Sequence, residues 1–230
     1  MNTQKESGNT IERSKTQKYC TETFLKIPES KKDRILNAAI SEFAKNGYQA
    51  ANINVIAKKA GISIGSMYNY FNSKEALFLE INDIGYRIIK TVYKGINDKK
   101  GDFFDKFEKM IKSVQLYSRK YPELTQMYQE ITSEGLSHLS KNITRKIEDI
   151  ALEFYTNAII KGQKEGTLTA NADPNMTAFF LDNLIILLQY SYTSEYFKER
   201  MKIFIGEDAL ENDEKIANGL MAFVRRSLAP

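Results

Sequence analysis

Apolar residues in the segment 31–47 recur at helical intervals. They stand at Leu36, Ile40 and Phe43, four and three residues apart, with Ile35 widening the same stripe. This spacing lies along one face of an α-helix. Gly47 follows the stripe, where glycine commonly ends a helix in the left-handed conformation. The pattern predicts a helix over residues 31–47.

Two very short helical segments follow, joined by a tight turn. Residues 53–60 come after Asn52 and residues 64–71 come after Ser63, and both of these residue types are favoured helix N-caps. Gly61 lies in the turn between them. Two short helices joined by a glycine-containing turn predict a helix-turn-helix.

The remainder of the chain has only helical periodicity. The pattern predicts further helices at 74–96, 102–120, 122–134, 137–165, 173–198 and 212–228. We therefore expect an all-α fold of three parts: a flexible arm over residues 1–29 that could hold a short helical stretch around residues 19–25, a three-helix helix-turn-helix domain over residues 30–80, and a helical carboxy-terminal domain over residues 81–230.

Composition excludes several classes of site. The 230 residues include one cysteine, Cys20, and one histidine, His138, too few for a disulfide or for a zinc site rich in Cys or His. We therefore expect no metal and no cofactor. The start of the chain is polar, and no apolar run reaches the roughly 20 residues of a membrane span. We expect a soluble, cytoplasmic protein that does not contact a membrane.

The net charge is unevenly distributed. Residues 1–80 hold 12 Lys and Arg against 8 Asp and Glu, a balance of +4, whereas the remaining 21 and 21 charges cancel. This placement indicates that the amino-terminal part meets a polyanion such as nucleic acid, although a solvated basic surface would give the same count.

One enzyme motif matches in sequence but not in the structural context that it requires. Residues 61–65, Gly-Ile-Ser-Ile-Gly, match the G-x-S-x-G pattern of a hydrolase nucleophile. That serine must follow a β-strand and needs a histidine base, whereas here a helix precedes it. The same residues serve as a turn and an N-cap, and we expect no enzyme activity.

The second short helix carries better candidates for DNA contact. Met67 and Phe71, four residues apart, predict its buried side. The opposite side begins with small or hydrogen-bonding groups, which is where such helices meet base edges in the major groove. Hydroxyls such as those of Tyr68 and Tyr70 suit phosphate oxygens, although both rings could instead pack in the core. The candidate DNA-binding residues of this segment are Ser63, Ile64, Gly65, Ser66, Tyr68, Asn69, Tyr70 and Lys74.

Segments within residues 31–80 resemble the amino-terminal domain of the TetR family of bacterial transcriptional regulators. The segments are ILNAA at 35–39, FAKNGY at 43–48, IAKKAGIS at 56–63 and GSMYNYFNSKEAL at 65–77. The resemblance implies a homodimer that places two recognition helices in successive major grooves of a palindromic operator.

The resemblance also implies roles for individual residues. Asn52 and Asn54 would contact DNA, the segment 64–66 would contact bases, and the two tyrosines with Lys74 would bind phosphates. The chain departs from the family at two of these positions. The capping position is commonly threonine, and position 54 is frequently an arginine that contacts a base, so Asn54 has a shorter reach.

For the carboxy-terminal part, the resemblance implies a small-molecule effector pocket and a dimer interface. The pocket candidates are Phe103, Phe107, Met110, Tyr117, Met127, Tyr128, Phe154, Tyr155 and Tyr190. The interface candidates are Met176, Phe179, Phe180, Leu184, Leu187, Ile216, Leu220 and Phe223. Because the charges of this part cancel, we expect an apolar or amphipathic effector.

The sequence thus predicts a repressor that is released from operator DNA by an effector. It leaves open two alternatives within the same fold, an activator and an effector-less DNA-organising protein. It also leaves open an alternative of a different class, a small-molecule-binding helical protein whose helix-turn-helix does not dock on DNA. It also leaves open the role of residues 1–29.

Overall fold

The computed structural model describes residues 19–132 and 136–230. Within these ranges every regular element is helical, which confirms the predicted all-α fold. The α-helices are α1 (Glu22–Lys26), α2 (Glu29–Ala50), α3 (Ile53–Lys59), α4 (Ile64–Tyr70), α5 (Lys74–Asn97), α6 (Phe103–Lys120), α7 (Pro122–Ile131), α8 (Ser137–Lys164), α9 (Pro174–Ser191), α10 (Glu195–Ile205) and α11 (Asp213–Leu228). No helix in these ranges is both long enough and apolar enough to cross a membrane.

Residues 19–29 are part of the folded protein, which corrects the predicted extent of the flexible arm. The helix α1 inserts Phe24, which is fully buried, into the helix-turn-helix. The Thr21 side chain donates a hydrogen bond to the carbonyl of Asn69 at 2.7 Å. The apolar residues Phe24, Leu25 and Ile27 lie in a segment too short to show which of them packs against the rest of the protein, so the pattern did not predict this packing. The rest of the predicted arm, residues 1–18, lies outside the described residues.

The backbone leaves the helical conformation at Gly47, as the sequence predicts. Gly47 has φ +70°, and helix α2 resumes for a further turn to Ala50. A side chain at this glycine would also meet Glu130 of α7, since its Cβ would lie 2.8 Å from the Oε1 atom. The backbone conformation therefore selects glycine here, whereas the contact with Glu130 involves the end of a flexible side chain that can move away.

The protein has two apolar cores, and the amino-terminal core reaches beyond the helix-turn-helix. Residues of α2 to α5 are joined in it by Met127 and Ile131 of α7 and by Leu139 and Ile143 of α8. The predicted domain boundary at residue 80 lies inside α5, so this single helix contributes to both cores. Helix α5 therefore packs in both cores, and residues of α7 and α8 belong to the amino-terminal core.

The predicted helix 173–198 is two helices, α9 and α10. The chain turns at Tyr192, whose hydroxyl donates to Asp213 of α11 at 2.8 Å. At the next residue, the carbonyl of Thr193 accepts a hydrogen bond from the Gln126 side chain of α7 at 3.3 Å. These partners are distant in sequence, and each residue of the turn is compatible with a helix. Periodicity alone therefore predicted one element, and it placed residues 199–205 outside any helix.

Candidate nucleic-acid interface

The two short helices of the helix-turn-helix begin at side-chain caps. The Asn52 side chain accepts a hydrogen bond from the backbone N–H of Asn54 at 2.9 Å, which begins α3. The Ser63 hydroxyl accepts from the backbone N–H of Ser66 at 3.0 Å, which begins α4. The exposed polar residues at 52 and 63 therefore have local structural roles in addition to any contact with DNA.

The turn between α3 and α4 depends on one glycine. Gly61 has φ +67°, and no atom lies within 4 Å of the position that a side chain would take. The N–H of Ile62 donates to the carbonyl of Ala57 at 3.0 Å, which closes the end of α3. Backbone conformation rather than space therefore selects glycine at this position.

Helix α4 has a buried side and an exposed side, as predicted. Met67 and Phe71 are fully buried. The opposite side exposes Ile64 and Tyr68, which are 38% and 49% exposed. Their neighbours Gly65 and Asn69 are also exposed, and Ser66 is partly exposed. We call the exposed strip Ile64, Gly65, Ser66, Tyr68 and Asn69 the outer face of α4.

Tyr70 lies outside this face, which corrects its prediction as a phosphate contact. It is only 6% exposed, and its ring centroid lies 5.8 Å from that of Phe24. The Lys31 ammonium lies over the same ring at 5.4 Å. Tyr70 is buried because α1 covers it, and this packing could not be foreseen from the pattern of α4 alone.

Lys74 joins the start of α5 to the segment that precedes α3. Its Nζ atom donates to the carbonyls of Gln49 and Ala51 at 3.0 and 3.1 Å, and it lies 4.8 Å from the ring centroid of Tyr48. Lysine has three N–H donors. Two are used in these bonds, so one remains for a phosphate oxygen.

A buried carboxylate that the sequence analysis missed holds α3 against α2. Glu42 is 4% exposed, and its Oε2 atom accepts from the Lys59 ammonium at 2.8 Å. The Asn46 side chain donates to the Oε1 atom at 2.9 Å. The hydrogen bond from Lys59 is the main cause that holds the pKa of Glu42 below its ordinary value. Its position directly before Phe43 of the apolar stripe was the available signal for burial.

A cavity of about 140 Å³ lies in the carboxy-terminal half, among α5 to α9. Four of the predicted pocket residues line it: Met110, Tyr117, Met127 and Tyr128. The other five do not, which corrects the prediction for Phe103, Phe107, Phe154, Tyr155 and Tyr190. These five residues pack against other rings, as in the Phe154–Tyr155 pair at 5.1 Å and the Tyr190–Phe197 pair at 5.7 Å.

An apolar face runs over α9, α10 and α11. Of the predicted interface residues, the exposed ones are Met176, Phe179, Phe180, Leu187 and Phe223. Leu184 and Leu220 are partly buried against the core, and Ile216 is buried within it, which corrects its assignment to the surface. Helix α10 adds exposed side chains that the sequence analysis missed: Tyr196, Ile203, Phe204 and Ile205. We call these exposed side chains of α9, α10 and α11 the apolar face.

The helix-turn-helix region matches a known protein family. Residues 35–81 match the profile of the bacterial regulatory proteins of the tetR family. The HTH-type transcriptional regulator YhgD of Bacillus subtilis (strain 168) is 25% identical over 166 residues, which is 72% of this chain and 86% of that protein.

Solved structures share the fold. A TetR family transcriptional regulator from Chloroflexus aurantiacus superposes with a TM-score of 0.67 at 20% identity, over 92% of this chain and 99% of that one. The regulator AibR, solved with isovaleryl coenzyme A and operator DNA, superposes with a TM-score of 0.62 at 18% identity, over 84% and 97%.

Proposed function

The chain belongs to the tetR family of bacterial regulatory proteins, and we propose that it is a homodimeric repressor that binds a palindromic operator and is released by a small-molecule effector. It is a transcriptional regulator with its DNA-binding region at residues 35–81. In this proposal it acts in the cytoplasm, on duplex DNA.

The outer face of α4 is the observation that carries the proposal. At its amino-terminal end Ile64 and Gly65 are exposed and Ser66 is partly exposed, so a residue without a side chain and a small hydroxyl lie beside one apolar group. A backbone with small side chains can approach base edges closely in the major groove. Tyr68, further along the same face, and the remaining donor of Lys74 suit phosphate oxygens on either side of the groove.

The apolar face supports assembly with a second copy of the chain. Phe179 and Phe180 are 64% and 58% exposed, and Phe204 on the neighbouring helix is 72% exposed. Large contiguous apolar patches on soluble proteins mark interaction surfaces. A self-complementary contact through α9, α10 and α11 would give the two-fold pair that a palindromic operator requires.

The cavity supports release by an effector. Helix α7 lines the cavity with Thr125 and Met127, and it also packs beside the segment that leads into α3. A ligand shifts a conformational equilibrium only when its affinities for the two states differ. In our proposal, an occupied cavity favours a dimer whose two recognition helices no longer match one turn of DNA, which is about 34–36 Å.

The test is a binding titration with DNA chosen by the protein itself. Duplexes selected from a random library are labelled, and the anisotropy is followed as full-length protein is added, with a scrambled duplex as control. We expect tight binding to the selected palindrome and two chains per duplex in light scattering. Equal affinity for the scrambled duplex, or a monomer on the selected one, would contradict the proposal.

A further inference from the structure

Aromatic side chains form much of the cavity wall. The tyrosines that line it are Tyr86, Tyr93, Tyr117, Tyr121 and Tyr128. The face of an aromatic ring attracts a cation through its quadrupole. Tyr86 makes such a contact within the protein, because the Lys146 ammonium lies 5.8 Å from the centroid of its ring. The wall therefore suits an apolar body that carries positive charge.

The charged residues among the described lining residues are both acids, Glu148 of α8 and Asp182 of α9. Lysine, arginine and histidine are absent from that described lining. Neither carboxylate forms an ion pair with a described residue. Their hydrogen bonds are long, at 3.5 Å from the Tyr93 hydroxyl to Asp182 and 3.4 Å from the Tyr128 hydroxyl to Glu148. The cavity thus holds negative charge with little internal compensation.

The raised pKa values of the two acids reflect the free-energy cost of holding negative charge in the cavity. Burial, with the charge of Glu148 as the second cause, raises the pKa of Asp182 to about 6. Glu148 lies at the exposed edge of the cavity, and the partial burial of its carboxylate raises its pKa as well. A positive group between these carboxylates would relieve this cost, because an opposite charge favours the ionised form.

One more polar group of the lining, unlike the two carboxylates, lacks a hydrogen-bond partner among the described residues. Ser118 lines the cavity and is 2% exposed, and among the described residues its hydroxyl has no hydrogen-bond partner. A buried polar atom without a partner is costly, and such atoms usually pair with water or with a ligand. The hydroxyl is therefore available to a polar group of a bound molecule.

We propose that the cavity binds a small organic cation, an amine or quaternary ammonium group on an apolar body. Asp182 and Glu148 supply the counter-charge, and the tyrosines surround the ammonium and the apolar body. An apolar cavity of about 150 Å³ holds benzene. At about 140 Å³, this cavity fits roughly one aromatic ring, and a larger body extends past Glu148, which is exposed at its edge.

Coenzyme A thioesters, such as the ligand of AibR, fit this wall poorly. Their phosphates carry negative charge, and phosphate recognition relies on Arg, Lys or helix N-termini. In this cavity those charges would meet two carboxylates. The inference deepens the proposed function by naming the effector class, and its effect on DNA rests on that function, whereas the binding itself does not.

The test compares probes of one shape and different charge. Full-length protein is titrated by calorimetry with phenyltrimethylammonium, with its neutral isostere tert-butylbenzene and with the anion benzenesulfonate. We expect the cation to bind at least tenfold more tightly than the neutral probe, and the anion to bind most weakly. Equal or tighter binding of the neutral probe or the anion would overturn the proposal.

Matched variants test whether the Asp182 carboxylate is responsible for binding the cation. Asp182→Asn keeps an acceptor for Tyr93 and should weaken binding of the cation at least tenfold, without weakening the neutral probe. Glu153→Gln removes an exposed carboxylate from the same helix as Glu148, outside the cavity lining, and should leave the affinity unchanged. Unchanged affinity in Asp182→Asn, or equal losses in both variants, would refute the assignment.

Measuring duplex binding alongside cation binding distinguishes failure of the proposed function from failure of the cavity assignment. A protein that binds the cation but no duplex would contradict the proposed function and leave the cavity assignment standing. A protein that binds its selected duplex but none of the cation would contradict the cavity assignment alone.

Discussion

The Oε1 atom of Glu130 accepts a hydrogen bond from the backbone N–H of Tyr48 at 2.6 Å. Glu130 lies near the end of α7, whose earlier residues Thr125 and Met127 line the cavity. Tyr48 follows the break at Gly47 and contacts the Lys74 ammonium with its ring. One short helix therefore connects the cavity wall to the segment that positions α3.

Loss of this hydrogen bond should destabilise the protein and weaken the link between its two parts. We expect Glu130→Ala to lower the free energy of unfolding by about 1–2 kcal/mol, as for other charge-assisted hydrogen bonds. Urea denaturation followed by circular dichroism measures this. Glu130→Gln is the matched control, because its amide oxygen can still accept from Tyr48. An alanine variant as stable as the wild type would show that this bond contributes nothing.

The two tyrosines of α4 should behave differently when each loses its hydroxyl. Tyr68 lies on the outer face, so we expect Tyr68→Phe to weaken all duplexes by about 1 kcal/mol per half-site, roughly fivefold. Tyr70→Phe should leave the affinity for DNA unchanged, because the ring is covered by α1. Anisotropy titrations of both variants make the comparison. A larger loss for Tyr70→Phe would reverse the assignment.

Changes at the start of α4 should alter sequence preference rather than general affinity. We expect Ile64→Ala and Ser66→Ala to change which duplexes are selected from a random library, since groups at this end face base edges. Selection followed by sequencing measures the change. Lys58→Ala, which removes an exposed cation of α3, is the comparison for a sequence-independent effect. An unchanged selected sequence in both α4 variants would contradict base contact by these residues.

Salt should weaken DNA binding steeply. With about four phosphates held in each half-site, the log–log slope of affinity against salt concentration should be near −7. Titrations over a range of potassium chloride concentrations give this slope. A slope near zero would show that phosphate contacts do not dominate docking.

The contribution of Asp182 to the stability of the ligand-free protein should fall as pH rises from about 4 to about 6. The pKa of Asp182 is raised from 3.8 to about 6 in the folded state, so the folded protein binds the extra proton in this window. The groups that face Asp182 are Tyr93, Tyr128, Glu148 and Tyr155. In the Asp182→Asn variant, the unfolding free energy should fall by roughly 2 kcal/mol less over this pH range than in the wild type. Thermal unfolding at pH 4, 5, 6 and 7 tests it, and parallel curves for wild type and variant would contradict it.

The helix-turn-helix could be predicted in detail from the sequence because its signals are local. Asn52 and Ser63 cap the helices that directly follow them, and Gly61 supplies a backbone conformation that few other residues adopt. The same holds for the buried pair Met67 and Phe71, whose spacing sets their side of α4. Such features depend on residues within one or two helical turns.

The parts that could not be predicted depend on distant partners. Tyr70 is buried by Phe24, which lies 46 positions earlier in the printed sequence. The break after α9 is held by hydrogen bonds from other helices. For the cavity, residue type was a poor guide, since aromatic residues also fill the core. The acids that distinguish the cavity, Glu148 and Asp182, resemble ordinary surface residues when the sequence is read alone.

The amino-terminal core has a practical consequence for protein engineering. Residues of α7 and α8 complete that core: Met127, Ile131, Leu139 and Ile143. A fusion made near residue 80 would therefore remove part of the apolar core on which the transferred helix-turn-helix depends. A chimera that combines this DNA specificity with the effector-binding part of another protein must include α7 and the first half of α8 together with the helix-turn-helix. Within this chain, the unit of exchange is therefore discontinuous in sequence.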